Sequence, residues 1–178
     1  MISAFQEQRT LTGERVTLVP LGPEHLDGEW AVLHDAESRR LTGTHATFTR
    51  AQIRSWLEQV RQADDRADWA VLHGGAFVGE VVLNDLDEDN RSVNFRIVLA
   101  SHAFGKGIGT EATRLAVRYA FEDAGLHRVH LEVFAHNPRA RHVYEKCGFR
   151  VEGEHRDALW WDGRWHNTYT MAVLATDG

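Results

Sequence analysis

Three glycines at alternate positions, Gly105, Gly107 and Gly109, stand in the stretch "SHAFGKGIGTEATRLAVRYAF" directly ahead of a helix-like run. A helix start leaves its first N–H groups unpaired and carries about half a positive charge, so backbone without Cβ atoms there can wrap an anion. A flexible turn of small residues is the bland alternative. Two familiar phosphate cradles fail on spacing. A P-loop needs its Lys followed by Ser or Thr, whereas Lys106 is followed by Gly107, which argues against a nucleotide-dependent phosphotransferase. A dinucleotide fingerprint needs a third glycine where Thr110 stands, and a parallel start that the hairpin-like strands upstream do not supply.

Other reactive residue types lead less far. The chain has 11 histidines, yet His127 and His130 are odd-spaced on a strand-like segment and so face opposite ways. No His-x-x-x-His pair sits on a convincing helix face, and no metal is expected. Cys147 is the single cysteine; it excludes an internal disulfide, carries no nucleophile signature and is expected to pack near a helix end.

The elements that must position the glycine loop follow from periodicity. "ERVTLVPL" alternates into a first strand through Val16 and Leu18. Two helices come next: "GPEHLDGEWAVLHD", with Trp30 on its apolar spacing, and "TRAQIRSWLEQVRQADD", with Thr49 and Gln52 as a capping box and Trp56 on its apolar face. "DWAVLHGGAFVGEVVLN" reads as a hairpin around Gly74-Gly75, and after a polar turn "DLDEDN" the strand "SVNFRIVLA" completes a meander. After the glycine loop, Ala112, Leu115, Ala116 and Tyr119 share a helix face that Gly125 can close. "HRVHLEVFA" is a strand through Val129, Leu131 and Val133. Asn137 then caps a helix with Pro138 at its first position and Gly148 past its end. "FRVEGEH" and "TYTMAVL" read as closing strands around a Trp-rich segment.

With 178 residues and no linker or repeat, the chain is most simply one domain, 1–178. Its net charge of −6 and lack of a basic run argue against nucleic acid and suit a basic partner. No apolar stretch approaches the roughly 20 residues of a membrane span, and the N-terminus lacks signal-peptide order, so a soluble cytoplasmic protein is expected.

The strand, "FGKGIGTEA", helix, strand, and then "NPRARHVYEKCGFRVEG" together resemble the GNAT superfamily of acyl-CoA-dependent N-acyltransferases. Residues 68–154 carry the resemblance most strongly, and it extends over 14–176. The family's Arg/Gln-x-x-Gly-x-Gly/Ala loop falls on Phe104, Gly107 and Gly109. Phe104 departs from the usual Arg or Gln, as in the branch that acetylates the N-terminal alanine or serine of ribosomal proteins. The second pattern is met by Asn137, Ala140, Tyr144, Gly148 and Phe149. The resemblance implies an α+β fold with a mixed, mostly antiparallel central sheet flanked by helices and strands splayed at the cofactor site. It implies acetyl-CoA as donor, direct transfer to a primary amine in a ternary complex, and amides of Phe104, Gly105, Lys106, Gly107, Ile108, Gly109 and Thr110 on the diphosphate. The main chain of Ile97, Val98 and Leu99 would pair with the pantetheine arm like an added strand. Asn137 would contact that arm.

Such a transfer needs a neutral amine, a polarised carbonyl and a proton for the departing thiolate. Tyr144 lies seven residues after Asn137, about two helical turns, so both project from a similar side. The resemblance gives this Tyr as the general acid. Glu80 and Asp85 are candidate bases, whereas Asn94 occupies a slot where related sequences often carry a carboxylate. An amine of pKa about 8 is roughly a tenth neutral at pH 7 and a lysine near 10.4 well under a thousandth, so an α-amine needs less help from a base. Trp160, Trp161 and Trp165, flanking the turn Asp162-Gly163, border the acceptor cleft in the resembled family, with Arg156 and Asp157 beside them and Trp30 and Trp56 as an opposite wall. The acceptor would be a protein N-terminus or a small amine, and a homodimer is compatible with this reading. From another class, a non-catalytic CoA-binding sensor or interaction module on the same fold remains the alternative.

Overall fold

The computed structural model describes residues 3–178. A short helix α1 (Ser3–Gln6) and strand β1 (Leu11–Thr12) precede β2 (Thr17–Pro20). A 3₁₀ turn at Pro23–His25 leads into the helices α2 (Leu26–Leu33), α3 (Ala36–Thr42) and α4 (Arg50–Val60). The strands β3 (Ala67–His73), β4 (Ala76–Asp87) and β5 (Ser92–Leu99) follow, then α5 (Ile108–Arg118), β6 (Arg128–Phe134) and α6 (Pro138–Lys146). A long hairpin of β7 (Arg150–Trp161) and β8 (Arg164–Leu174) ends the fold.

All the strands join one sheet in the order β1-β2-β3-β4-β5-β6-β8-β7, antiparallel except for β5 and β6. The exception follows from α5, because a helical crossover returns the chain in the direction it left. β5 and β6 pair from Ser92 opposite Arg128 to Asn94 opposite His130, and then part. This is the splay expected of the sheet.

Helices cover both faces. On one, Leu21, Ile53, Leu57 and Val60 close over Ala70. On the other, Ile108, Ala112, Ala116 and Tyr144 pack with Val81, Leu83, Phe95, Val129 and Leu131. Each of the larger apolar side chains among them contributes about 1.5–3 kcal/mol on removal from water, which fixes α4 and α5 on opposite sides of the sheet. The capping box of α4 forms in both directions, Gln52 N to Thr49 Oγ1 at 3.1 Å and Thr49 N to Gln52 Oε1 at 2.8 Å.

Several elements differ from the sequence reading. A third helix, α3, lies ahead of α4, capped by the Asp35 side chain on Ser38 N and closed by Gly43 at φ 62°. Only two turns long, it is too short to show a face by periodicity. β4 runs to Asp87 through the segment read as a turn; an irregularity after Asn84 and a left-handed Asp85 (φ 53°) absorb its polar residues. The Trp-rich segment is part of β7 and β8, paired Trp160 to Trp165 across the turn at Asp162-Gly163, so the hairpin is continuous. After Arg118 the α5 helix widens into a π turn through Asp123, which sets Tyr119 against Trp69 edge-on at 4.9 Å.

Candidate active site

The glycine loop and the start of α5 are bare in the way an anion requires. Gly107 is the helix cap at φ 77°, Gly105 has φ 74°, and no side chain caps this end. The first bond of the helix is Glu111 N to Gly107 O, 3.1 Å, so the preceding amides have no helical partner. The two left-handed residues turn successive N–H groups toward one side. Glu111 points elsewhere: its carboxylate accepts the Arg15 amide at 3.0 and 2.9 Å and ties the 13–15 turn to the helix.

This loop floors one end of a cavity of about 330 Å³ whose wall includes Ile97, Val98, Leu99, Phe104, Gly105, Gly107, Gly109, Thr110 and Asn137. Lys106 and Ile108 are not in that wall. Ile108 is 1% exposed and packs in the core beneath the loop, and Lys106 is exposed to solvent, so only their amides face the question of binding. Along the cavity runs the free edge of β5. Ala100 N donates to Val78 O at 2.8 Å, and because alternate residues of an antiparallel pair face opposite neighbours, Ile97 and Leu99 turn their main-chain groups into the gap left by β6. One of these groups is engaged: Ser38 Oγ of α3 donates to Leu99 O at 2.6 Å.

The other wall is α6. Asn137 caps it, accepting Ala140 N at 3.2 Å, and reaches Leu41 O with its amide nitrogen at 3.4 Å. Arg139, His142 and Lys146 line the cavity from successive turns, and the Arg139 guanidinium lies 5.2 Å from the Phe104 ring. This strip, positive at Arg139 and Lys146 and absent from the sequence reading, was legible as spacings of three and four on a helix already recognised. It supplies cations beside the loop position where the family's Arg or Gln is missing. Free amides, left-handed glycines, an open strand edge and a basic strip thus fit an anionic, amide-containing ligand such as coenzyme A.

Tyr144 is 7% exposed, its ring edge-on to Phe95 at 6.1 Å and tilted on Phe149 at 5.9 Å. Its hydroxyl bonds to none of the described residues. Burial pushes its pKa well up, with the nearby Cys147 thiol adding to it, so the phenol stays protonated across the neutral range. Tyr144, Asn137, Ser38, Ile97 and Val98 line a second cavity as well, of about 650 Å³, on the α2–α3 side of the splay. Both cavities therefore meet at Tyr144.

Acidic residues Glu80, Asp85, Glu132 and Glu152 line the second cavity together with Arg39, Arg96, Arg128 and His130. Asn94 is there too, its Nδ2 donating to Asn84 Oδ1 at 2.8 Å. Arg128 and Glu152 pair with each other at 2.6 Å, and burial holds His130 below the usual imidazole range. Glu80 is 8% exposed, its pKa raised chiefly by burial, and its Oε2 has no hydrogen-bond partner. The tryptophans lie elsewhere. Trp160 and Trp165 pack on each other at 4.9 Å at the hairpin tip, 48% and 57% exposed, and Trp161 rests on His45. None of the three lines either cavity. Arg156 and Asp157 are likewise outside, and α2 offers Val32 and Leu33 to the second cavity in place of Trp30, while Trp56 stays on the α4 side.

A glycine-floored basic cavity opening through a parted strand onto a second chamber lined by carboxylates and arginines suits an enzyme that carries an acyl group from a CoA thioester to a separate acceptor. The sequence matches the acetyltransferase (GNAT) domain over residues 15–150, and the chain belongs to that family: it is an N-acetyltransferase whose donor is acetyl-CoA. Among its relatives, "Putative ribosomal N-acetyltransferase YdaF" of Bacillus subtilis (strain 168) is 32% identical over 128 residues, 72% of this chain and 69% of that protein. Spermidine N(1)-acetyltransferase of Vibrio cholerae is 34% identical over 97 residues, 54% of this chain and 56% of that enzyme, so the match spans little more than half of its length. The crystal structure of the Vibrio cholerae spermidine N-acetyltransferase with CoA and spermine superposes with a TM-score of 0.85 at 23% identity, covering 93% of this chain and 98% of that one, and attests the fold.

Proposed function

We propose that this chain transfers an acetyl group directly to a cationic primary amine, a peptide α-amine or a small polyamine-like molecule, with donor and acceptor bound together. The observation that carries the reading is the meeting of two cavities at Tyr144, one basic and glycine-floored, the other lined by Glu80, Asp85, Glu132 and Glu152 together with Arg39, Arg96 and Arg128. The names of the relatives, ribosomal and spermidine acetyltransferases, point to the same acceptor chemistry. Since the donor is an intracellular metabolite, a cytoplasmic location belongs to the same proposal.

When bound, acetyl-CoA supplies a thioester carbonyl carbon open to an amine lone pair. The amides of residues 105–110 hold its diphosphate, assisted by Arg139, His142 and Lys146, and the main chain of Ile97 and Leu99 orients its arm. Tyr144 Oη, kept protonated by burial and free of other partners, holds the proton that the departing sulfur needs. Glu80 stands on the acceptor side as the proton acceptor. A panel of polyamines, lysine-like amines and N-terminal peptides, assayed for thiol release from acetyl-CoA, tests the proposal. Turnover with at least one cationic amine is expected; CoA binding with no turnover across the panel would replace it with the sensor reading.

A further inference from the structure

Glu29 and Glu80 come from distant parts of the chain and meet below the second cavity. Gly28 explains the meeting. A Cβ at that position would stand 2.3 Å from the Phe77 ring, so only bare backbone lets α2 settle onto β4, and the next residue then turns its carboxyl down to the strand. There Glu29 is 1% exposed beside the buried Glu80. The two carboxyl groups lie within hydrogen-bonding reach of each other, and each acts on the other's ionisation. Ionised carboxylates can only accept, so a bond between the two requires a proton on one of them. Each keeps one buried oxygen without a partner, Glu29 Oε1 and Glu80 Oε2, but only Glu80 lines the cavity. Directly across from Glu80 on β5 is Val98, which lines both cavities.

The remaining charges that face the pair are few. Asp68 of β3 adds negative potential but is itself held by Arg66 through two contacts of 2.7 Å. Arg96 of β5 and Arg66 act on Glu80 in the opposite sense.

We infer that Glu29 and Glu80 hold a single proton between them, that the Glu80 carboxyl takes the proton of the acceptor's ammonium group, and that Glu29 is the positioning residue acting through Glu80. This rests on the function proposed above and deepens it. In the transfer an N–H bond of the ammonium breaks and an O–H bond forms at the Glu80 carboxyl, leaving a neutral amine with its lone pair. The pair then carries two protons and returns one to solvent through the cavity. An ordinary glutamate, with pKa about 4.3, lies some four to six units below an amine and is a poor match as its base. Burial narrows that gap, raising Glu80 and pushing Glu29 up to about 10.

The first test needs no substrate. Carboxyl-labelled glutamate in the intact protein, assigned with E29Q and E80Q, is titrated by carbon-13 NMR from pH 4 to 10. One of the two carboxyls is expected to remain protonated through neutral pH while the other ionises above the ordinary glutamate range. Two carboxyls that both ionise at ordinary values would overturn the inference whether or not the chain acetylates any amine. With an acceptor in hand, E80Q should lower kcat by about 10²-fold or more and leave CoA affinity unchanged. E29L removes the hydrogen bond that holds Glu80 down, so the acid limb of the kcat/KM profile should move to higher pH, with a loss at pH 7 of roughly 10-fold. E29Q, whose amide still donates, should return the limb to its wild-type position. A structural role alone would lower stability without moving the limb, and an unmoved limb in folded E29L would overturn the assignment of Glu29.

Discussion

The Ser38 hydroxyl donates to the Leu99 carbonyl at 2.6 Å, so a helix of only two turns clamps the edge of β5 that the parting from β6 leaves open. Asp35 reinforces the clamp from the start of the same helix by accepting Ser101 N and Oγ at 2.9 and 2.8 Å, just past the end of β5. Ser38→Ala leaves the Leu99 carbonyl without its donor, a loss of about 1–2 kcal/mol. Scanning calorimetry should show Tm lowered by roughly 2–8 °C for a chain of this size. An unchanged Tm would mean that the bond contributes nothing.

Gly107 carries the bend that aims the loop amides. Alanine there meets Arg15 only at ordinary contact distance, 3.5 Å, so the obstacle is its φ of 77°. Holding a residue with Cβ in that region costs about 1–2 kcal/mol. CoA affinity, measured by titration calorimetry, should fall by about 10-fold in Gly107→Ala, the size of change that such a strain produces if binding must bear it. Gly125→Ala is the control. With φ 67°, open space around it and no place in either cavity wall, it should lose similar stability and no affinity.

Tyr144→Phe deletes one oxygen and keeps the ring against Phe95 and Phe149. Loss of a positioned proton donor should lower kcat by about 10²–10⁴-fold, while CoA affinity stays within about 2-fold. Because burial raises the wild-type phenol, the pH profile between 6 and 9 should show no limb that vanishes in this variant. Full turnover in Tyr144→Phe would assign the acid elsewhere.

Glu29 makes stability depend on pH with a definite sign. Its pKa rises from 4.5 in the unfolded chain to about 10 in the folded protein, mainly through burial and then through the charge of Glu80. The folded state therefore holds a proton that the unfolded state releases, and stability from this group is full below about pH 4.5 and lost as pH rises toward 10. Glu29→Gln removes the titration. The Tm of the variant minus that of the wild type should increase steadily from pH 5 to pH 9, by roughly 2–4 °C or more. Parallel melting curves would show that Glu29 is not the buried neutral acid described.

What could be read along the chain was local. Thr49 with Gln52, Asn137 with Pro138, and Gly74-Gly75 each announce a helix start or a turn through bonds made within a few residues, and the structure carries all of them. Alternation named Val129, Leu131 and Val133 as inward-facing, as they are. The α3 helix went unread although Asp35 and Gly43 mark its ends, because two turns offer no period to detect. The π turn after Arg118 went unread because it arises where Tyr119 must reach Trp69 and Phe5 rather than from local preference.

The sequence by itself determined the glycine loop, the capped α6 helix that bears Tyr144, and hence the family, since these depend on spacing within single elements and on backbone that only glycine adopts readily. The partnership of Glu29 with Glu80, the Ser38 clamp on Leu99 and the exclusion of the three tryptophans from both cavities were decided by tertiary structure alone. Each depends on how far a helix settles on a sheet or where a long hairpin carries its tip. Those distances are set by packing between residues remote in the chain, and no local pattern records them.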